Sequence, residues 1–286
     1  MANLKEIRSR ISSVKSTMQI TSAMKMVSAA KLKKAQDAIT AMRPYANKLT
    51  ELLQSLSATL DSDVGNQYSS QREVKKVMIV AITSNRGLCG AFNSNVIKET
   101  NRLVEEDYNG KEVLLVTVGK KGNDILSKSN TVAVNNNEVF DDLTFENVSE
   151  IAEMLMTKFV EAEVDRIDLV YNKFKNAATQ IVMTEQFLPI TAVKTESNVN
   201  LDYIFEPSKI EIVEQLIPKS LKTQLFKAIR DSFASEHGAR MTAMHKATDN
   251  ATELRDQLTL AYNKARQAAI TNEILEIVGG AEALNN

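Results

Sequence analysis

The sequence predicts an α/β protein in which long helices at the two chain ends form an antiparallel coiled coil beside a small central α/β domain. Apolar residues recur at coiled-coil spacing over many turns at each end. Between the ends, short apolar runs alternate with amphipathic stretches. The 286 residues include only 9 glycines and 4 prolines, roughly 5% against a typical 12%. Few turns are therefore available, which disfavours an all-β fold.

Residues 1–60 carry one heptad seam and are predicted to form the N-terminal coiled-coil helix. Thirteen of its sixteen positions are apolar, where the composition would give about seven. Only Thr21, Lys25 and Ser28 are polar seam positions. Around them apolar residues lie on several sides of the helix, which indicates that this part packs against more than one other element. Pro44 predicts a kink or an interruption nearby. The seam comprises Ile7, Ile11, Val14, Met18, Thr21, Lys25, Ser28, Leu32, Ala35, Ile39, Met42, Ala46, Leu49, Leu53, Leu56 and Leu60.

Residues 208–286 repeat this pattern and are predicted to form the C-terminal helix that pairs with 1–60. Twelve of fifteen seam positions are apolar, and small alanine side chains would let two backbones approach closely. Pro218 suits a first helical turn, and Gly279 with Gly280 predicts the helix end. The seam comprises Phe226, Ile229, Phe233, His237, Arg240, Met244, Ala247, Ala251, Leu254, Leu258, Ala261, Ala265, Ala268, Asn272 and Leu275.

The length of these helices bears on their arrangement. At 1.5 Å per residue, each could reach roughly 80–90 Å, whereas a compact domain of this chain length is about 50 Å across. We therefore expect the helices to project and to pair with each other as an antiparallel coil. A parallel homodimer is the competing arrangement.

Residues 75–195 are predicted to form the central domain, because the period changes there. Buried or alternating strands alternate with helices, which is typical of a small layered, Rossmann-like α/β domain. The predicted strands are 76–82, 112–118, 167–174 and 180–187, and the predicted helices are 94–106, 123–127 and 145–162.

Charge is distributed unevenly along the chain. Residues 1–50 have a balance of +8, residues 51–218 of −10 and residues 219–286 of +1. A basic helix beside an acidic body indicates either a solvated face or contact with something negative. A coiled-coil nucleic-acid binder or scaffold is one alternative, since clustered lysines can neutralise phosphates. Against nucleic acid stand the pI of about 6.2 and the lack of aromatic residues between 1 and 44.

The composition also disfavours several kinds of protein. No run approaches the ~20 apolar residues of a membrane span, and MANLKEIRSR lacks the apolar core of a secretory signal. Cys89 is the single cysteine, so an internal disulfide is excluded, and two histidines make a His/Cys metal site improbable. We therefore expect a cytosolic chain with no metal or cofactor.

The loop Thr83–Asn93 is the stretch where an α/β protein could carry chemistry. It follows a predicted strand and contains glycines, as phosphate-binding turns do. It matches neither G-x-G-x-x-G nor G-x-x-x-x-G-K-[ST]. A tight turn that needs glycine is the favoured interpretation, and a nucleotide-using enzyme is the alternative. Cys89 as a nucleophile would need a nearby base, and both histidines are remote in sequence.

Three stretches resemble one known family, the gamma subunits of F-type ATP synthases. MANLKEIRSRISSVKSTMQITSAMKMVSAAKLKKAQ resembles its N-terminal helix, and SNRGLCGAFN resembles its central motif. ARMTAMHKATDNATEL and LAYNKARQAAITNEILEIVGGAEAL are similar to its C-terminal helix, and Ile270–Glu273 through Gly280–Ala281 fits the C-terminal signature. The resemblance covers the whole chain.

The resemblance implies a rotor. In this family the antiparallel coil is a central shaft inside three alternating pairs of alpha and beta subunits, where ATP is made or hydrolysed. The foot, with the α/β domain, sits with the epsilon subunit on the membrane c-ring, which ion flow turns. A member is expected to be a non-catalytic subunit without a cofactor. It couples ion flow to ATP synthesis or hydrolysis, binds no nucleic acid and does not span the membrane itself.

The resemblance also implies roles for individual residues. Residues in the two helices would couple the shaft to the alpha–beta ring, two of them by hydrogen bonds to a beta-subunit loop, and residues of the central motif would lie in the foot. The basic N-terminal helix would face acidic beta-subunit loops. The coupling residues are Met24, Lys25, Arg240, Arg266 and Gln267, of which the last two form those hydrogen bonds, and the motif residues are Arg86, Gly87 and Gly90.

Three departures or features refine this expectation. Asn85 stands where the family usually has Asp, and Ala91 where it usually has Gly, so a charged contact at position 85 is in question. The lone Cys89 excludes the redox switching of chloroplast members. The chain begins at Met1 with the shaft helix and no transit peptide, which favours a bacterial protein on the cytoplasmic face of the inner membrane.

Overall fold

The computed structural model describes residues 4–57, 66–190 and 209–285. These residues form two compact units. The helical unit contains the described residues up to Ser28 and those from Met241 onward, and the sheet unit spans Ala29–Arg240. Within the described ranges, no helix is both long enough and apolar enough to cross a membrane.

The structure contains two long helices, α1 (Leu4–Ser57) and α6 (Lys209–Asn285). In the helical unit, the Thr21 and Thr248 hydroxyls bond at 2.8 Å. Met18, earlier in α1, accepts a bond from Thr252, one turn later in α6, at 3.3 Å. Because contacts move backward in one helix as they move forward in the other, the pairing is antiparallel. The prediction of an antiparallel coil within one chain is confirmed over the parallel homodimer.

The seam predicted for α1 is confirmed in the structure. All its positions from Ile7 to Leu49 are buried or half-buried. Thr21 and Ser28, where the apolar pattern fails, are only 9% and 3% exposed, so small polar side chains continue the inward face. The apolar residues nearby, Ile20, Met26 and Val27, are instead 57–65% exposed. The side chains of Leu53 and Leu56, and residue Leu60, lie outside the described part.

The seam predicted for α6 is partly wrong beyond Met244. Leu254 is 46% exposed and Ala261 is exposed, whereas Arg255 and Tyr262, each one residue later, are half-buried. An alanine-rich helix carries little directional signal, and long polar side chains can bury their apolar stems while their ends stay in water. The inward positions of α6 in the helical unit include Met244, Thr248, Ala251, Arg255, Leu258, Tyr262 and Ala265.

Pro44 does not interrupt α1, and Pro218 and the glycine pair do not mark the ends of α6 where the sequence predicts. Pro44 lies inside α1, which continues to Ser57. Pro218 lies inside α6 and not in its first turn, and α6 continues through Gly279 and Gly280 to Asn285. A proline removes one backbone donor, and each glycine costs about 1 kcal/mol of helix stability. These local penalties are too small to stop helices of 54 and 77 residues.

The sheet unit contains a five-stranded sheet with strand order β3-β2-β1-β4-β5. The first four strands are parallel and β5 is antiparallel to β4. The predicted Rossmann-like α/β fold is therefore observed. Its strands are β1 (Lys76–Ile82), β2 (Glu112–Val118), β3 (Val132–Asn135), β4 (Arg166–Phe174) and β5 (Gln180–Leu188).

Helices cover both faces of this sheet. One apolar core packs alternate β1 residues (Met78, Val80, Ile82) against α5 and α6. The opposite core packs the intervening β1 residues against α3 and α4. A parallel sheet buried on both faces explains why β1 and β2 read as continuous apolar runs. The shorter helices are α2 (Asn66–Ser69), α3 (Phe92–Arg102), α4 (Lys120–Leu126) and α5 (Phe145–Val160).

The predicted elements agree with the observed ones except where segments are short. The bounds of β1 and β2 are as predicted, and the other predicted strands and helices lie within a few residues of β4, β5, α3, α4 and α5. The sequence prediction omits β3, which has four residues with alternating exposure. It also omits α2, and its helix 94–106 runs into Leu103–Asp107, which forms a π-helical turn.

Candidate functional site

The loop Thr83–Asn93 joins β1 to α3 at the edge where the carboxyl ends of β1, β2 and β3 meet. It is closed by its own side chains: Asn93 Oδ1 accepts from the Ser84 amide at 2.9 Å, and the Ser84 hydroxyl donates to the Arg86 carbonyl at 2.7 Å. Gly90 adopts a φ of 60°, a conformation that glycine reaches without steric cost. Leu88, with a φ of 61°, is 65% exposed. The loop is thus a tight, internally bonded turn.

This loop also accepts hydrogen bonds from three backbone amides at the start of α4. At the start of α4, the amide of Lys120 donates to Asn85 Oδ1 at 3.0 Å, and that of Gly122 to Thr83 Oγ1 at 2.9 Å. The Lys121 amide donates to the Ser84 carbonyl at 3.0 Å. These three α4 amides are therefore not free to bind a phosphate, and the internal hydrogen bonds of the loop favour the tight-turn interpretation.

Cys89 lies inside the loop as a packed thiol. It is 2% exposed, and its Sγ accepts a hydrogen bond from Asn93 Nδ2 at 3.3 Å. Burial raises the pKa of the Cys89 thiol. A reactive cysteine needs a lowered pKa and access, so this environment opposes the nucleophile hypothesis. Among the described residues, no group of His, Cys, Asp and Glu side chains could hold a metal ion.

Arg240 connects α6 to this loop inside the sheet unit. Its Nη2 donates to the Arg86 carbonyl at 2.9 Å and its Nε to the Gly87 carbonyl at 3.3 Å. Its Nη1 donates to Glu236 Oε1 at 2.6 Å, and both side chains of this pair are 9% exposed. A buried guanidinium that uses several of its donors in this way holds the loop against the helix.

Three cations act on the buried Glu236 carboxyl. Burial raises the pKa of the Glu236 carboxyl, while the charges of Arg240, Lys31 and Arg86 act to lower it. Arg86 itself is exposed.

The structure brings only some of the predicted site residues together. Arg86 and Gly87, predicted as a foot motif, contact Arg240, predicted separately as a coupling residue, and Gly90 lies in the same loop. The other four lie in the helical unit: Met24 and Lys25 are half-buried on α1, and Arg266 and Gln267 are exposed on α6.

Sequence reasoning missed Glu236 as a partner of this site. The signal was available, because Glu236 and Arg240 have opposite charges four residues apart, the spacing at which helical side chains meet. The contact of Arg240 with the loop had no such signal. Its acceptors are backbone carbonyls, which every residue possesses.

Within the helical unit, the end of α6 presents an apolar surface. Every residue from Arg266 to Ala281 is exposed. Exposed apolar surface of this extent usually marks an interaction site. The large apolar side chains are Ile270, Ile274, Leu275, Ile277 and Val278, at 44–67% exposure.

His237 makes the stability of the sheet unit depend on pH. It is 5% exposed and lies edge-on to the Phe233 ring. Burial, together with the charges of Arg240 and Lys31, lowers its pKa to about 4 from 6.5. The unfolded state therefore binds the proton more readily. Above pH 6.5, His237 does not change the free energy of unfolding. As the pH drops towards 4, its contribution lowers this free energy by up to roughly 3 kcal/mol, because each unit of pKa difference is worth about 1.4 kcal/mol.

Urea unfolding at several pH values would measure this loss as the difference between wild type and His237→Gln. The pH profile of the wild type alone is not enough, because burial also raises the pKa values of Asp231 and Glu236. These two carboxyls therefore increase the free energy of unfolding as the pH falls, whereas His237 decreases it. His245→Gln is the control, since the His245 side chain is 56% exposed. Parallel pH profiles for wild type and His237→Gln would contradict this assignment.

Comparisons with known proteins cover nearly the whole chain. Residues 3–284 match the model of a family described as ATP synthase. The ATP synthase gamma chain of Flavobacterium psychrophilum is 74% identical over 285 residues, 99% of each chain. A chain of the Tetrahymena thermophila mitochondrial ATP synthase central stalk and c-ring is 27% identical, with a TM-score of 0.60, over 80% of this chain and 99% of that one. A Euglena gracilis mitochondrial ATP synthase chain shares the fold, with a TM-score of 0.71 at 22% identity over 98% of this chain and 94% of that one.

Proposed function

Because the chain belongs to the family of ATP synthase gamma chains, the central-stalk rotor subunits of F-type ATP synthases, we propose that it couples ion flow through a membrane ring to ATP synthesis or hydrolysis by rotating. The observation that carries this proposal is the family match over residues 3–284. Its 74% identity to a bacterial gamma chain supports it. The alternative, a nucleic-acid-binding coiled coil, has no support from these comparisons.

The coupling partners follow from this role. We propose that three pairs of alpha and beta subunits surround the coiled coil, and that the epsilon subunit and the c-ring bind the sheet unit. The exposed apolar surface of α6 between Arg266 and Ala281 supports an enclosing partner, because such a surface is unfavourable in water. One asymmetric shaft would show each catalytic site a different face, so each orientation favours a different state of each site.

We further propose that the chain itself catalyses no reaction. The α4 amides are bound by the loop and the Cys89 thiol is buried. These contacts are consistent with a non-catalytic subunit that affects ATP synthesis or hydrolysis only through the alpha and beta subunits. We place it at the cytoplasmic face of a bacterial inner membrane, held there by the complex.

Purification from native membranes tests the function directly. We expect one copy of this chain for every three alpha–beta pairs, and we expect a complex lacking it to hydrolyse ATP without pumping ions. Recovery of the chain alone, or with nucleic acid released by salt, would contradict the proposal.

Arg266→Ala tests the proposed contact with the beta subunit. Arg266 is exposed on α6, so the substitution should leave the fold unchanged. Loss of a hydrogen bond made only in the assembled complex should lower coupled ATP turnover about two- to tenfold. Lys264→Ala, a nearby exposed cation on the same helix, is the matched control and should turn over ATP like wild type. Equal turnover in the two variants would remove this role from Arg266.

A further inference from the structure

The turn that leads into β2 contains an asparagine followed directly by a glycine. Asn109 and Gly110 are the one Asn-Gly pair in the whole sequence. Gly110 has a φ of 78°, a conformation that glycine adopts without steric cost. Both residues are exposed. Water therefore has access to the Asn109 side-chain amide and to the backbone amide of Gly110 beside it.

One backbone hydrogen bond closes this turn. The Lys111 amide donates to the Tyr108 carbonyl at 3.0 Å, across the two residues of the tip. In the part of the chain that the structure describes, neither the Asn109 side chain nor the Gly110 amide has a hydrogen-bond partner. Loss of one ordinary hydrogen bond is therefore enough to free the Gly110 nitrogen to approach the side-chain carbonyl carbon of Asn109.

Other asparagines lie in surroundings that oppose such an approach. Asn250 is exposed on α6, but the helix fixes the nitrogen of the next residue, Ala251, in the backbone hydrogen-bond ladder. In the loop after β1, Asn85 Nδ2 donates to the Asn137 carbonyl at 2.8 Å, which holds its amide in place. Asn109 has neither restraint, and the residue that follows it has no side chain to obstruct the reaction.

We propose that Asn109 is a site of spontaneous deamidation in the folded chain. The Gly110 nitrogen attacks the side-chain carbonyl carbon of Asn109. A new C–N bond closes a five-membered succinimide ring, the bond to Nδ2 breaks, and ammonia leaves with the proton of the Gly110 amide. Water then adds to one of the two ring carbonyls and opens the ring. The product is aspartate or isoaspartate, and no atom is oxidised or reduced.

The two products differ in their effect on the turn. Tyr108 is 7% exposed, and its hydroxyl donates to the buried Asp168 carboxylate. Isoaspartate adds one carbon to the backbone between Tyr108 and Lys111, so the hydrogen bond that closes the turn loses its geometry. Aspartate leaves the backbone length unchanged and only adds an exposed charge, which contributes little to stability. We therefore expect isoaspartate to weaken the packing of Tyr108 and aspartate to leave it intact.

The experiment follows the purified full chain during prolonged incubation at neutral pH. Proteolytic digestion and mass spectrometry detect a gain of one dalton at each asparagine, and an isoaspartyl methyltransferase detects isoaspartate. Asn109→Gln is the matched control, because it keeps the amide but would have to close a six-membered ring. Asn250 is the internal reference for an exposed asparagine in a helix. The same chain in urea gives the reaction rate without the fold.

We expect Asn109 to react first, at a rate no more than about tenfold below its rate in urea, because closing the turn adds only one hydrogen bond to the barrier. Asn250 should stay unmodified over the same period, and Asn109→Gln should remove the isoaspartate signal at this turn. An unmodified Asn109 in a chain that reacts in urea, or a faster reaction at any other described asparagine, would overturn the proposal.

Urea unfolding separates the effect of backbone length from the effect of charge. The incubated wild type should unfold at a lower urea midpoint as its isoaspartate content rises, whereas incubated Asn109→Gln and freshly purified Asn109→Asp should unfold like fresh wild type. An equal loss in Asn109→Asp, or an unchanged midpoint despite isoaspartate, would contradict the role assigned to the turn. These measurements need no partner subunit, so their outcome is independent of the rotor function.

Discussion

Arg240→Ala is expected to lower the free energy of unfolding of the sheet unit by about 3–5 kcal/mol, the usual cost of removing one partner from a buried ion pair. The substitution leaves Glu236 as a buried carboxylate without its bond partner at 2.6 Å. It also leaves the Arg86 and Gly87 carbonyls without their guanidinium donor. Urea unfolding of the full chain, followed by circular dichroism, measures this change.

Arg10→Ala is the matched control for this experiment. Arg10 pairs with Glu6 at the same four-residue spacing and at 2.7 Å, but the two side chains are 66% and 53% exposed. Exposed pairs of this kind contribute about 0.3–0.5 kcal/mol. A loss at Arg240 no larger than the loss at Arg10 would show that burial and the loop contacts add nothing.

The partner of the buried pair provides a second test. Glu236→Ala combined with Arg240→Ala removes the isolated buried charge. The double variant should therefore be less destabilised than the sum of the two single variants. Simple additivity would mean that the two side chains do not depend on each other.

Gly119→Ala is expected to destabilise the sheet unit by about 2 kcal/mol or more. Gly119 connects β2 to α4 with a φ of 108°, where an L side chain is strained. A Cβ there would lie 2.4 Å from the Thr83 carbonyl oxygen. Since Thr83 directly follows β1 and its amide bonds the Val118 carbonyl at 2.7 Å, neither backbone can move without separating the two strands.

Gly280→Ala is the control for the glycine substitution. A Cβ at Gly280 meets no atom within 4 Å, and the residue lies within α6. Alanine should stabilise the helix there by up to about 1 kcal/mol. Thermal unfolding of the two variants should therefore shift in opposite directions. A Gly119→Ala chain that melts within a degree or two of wild type would contradict the close approach at this sheet edge.

The heptad pattern predicted α1 well because its large apolar residues point in one direction. The same method failed in α6 beyond Met244, where alanines lie on several sides and the inward face includes Thr248, Arg255 and Tyr262. Alanine contributes little burial energy wherever it lies. The contacts made by threonine hydroxyls and by the apolar stem of arginine decide the rotation of the helix instead.

Strand prediction depended on length and burial in a similar way. The runs that form β1 and β2 are buried on both faces and are therefore apolar throughout. The four residues of β3 alternate between half-buried and exposed and contain too few apolar side chains to stand out. Pairing with β2 makes them a strand, and that pairing is not encoded in the segment itself.

The sequence by itself determined the two long helices, the buried strands and the family, because periodicity and motifs are properties of neighbouring residues. Only the tertiary structure decided how the loop at Asn85–Gly87 meets Arg240 of α6. That contact joins residues more than 150 positions apart through two backbone carbonyls and one buried guanidinium. Backbone carbonyls are alike in every residue, so no pattern of side chains could have predicted which two would accept those hydrogen bonds.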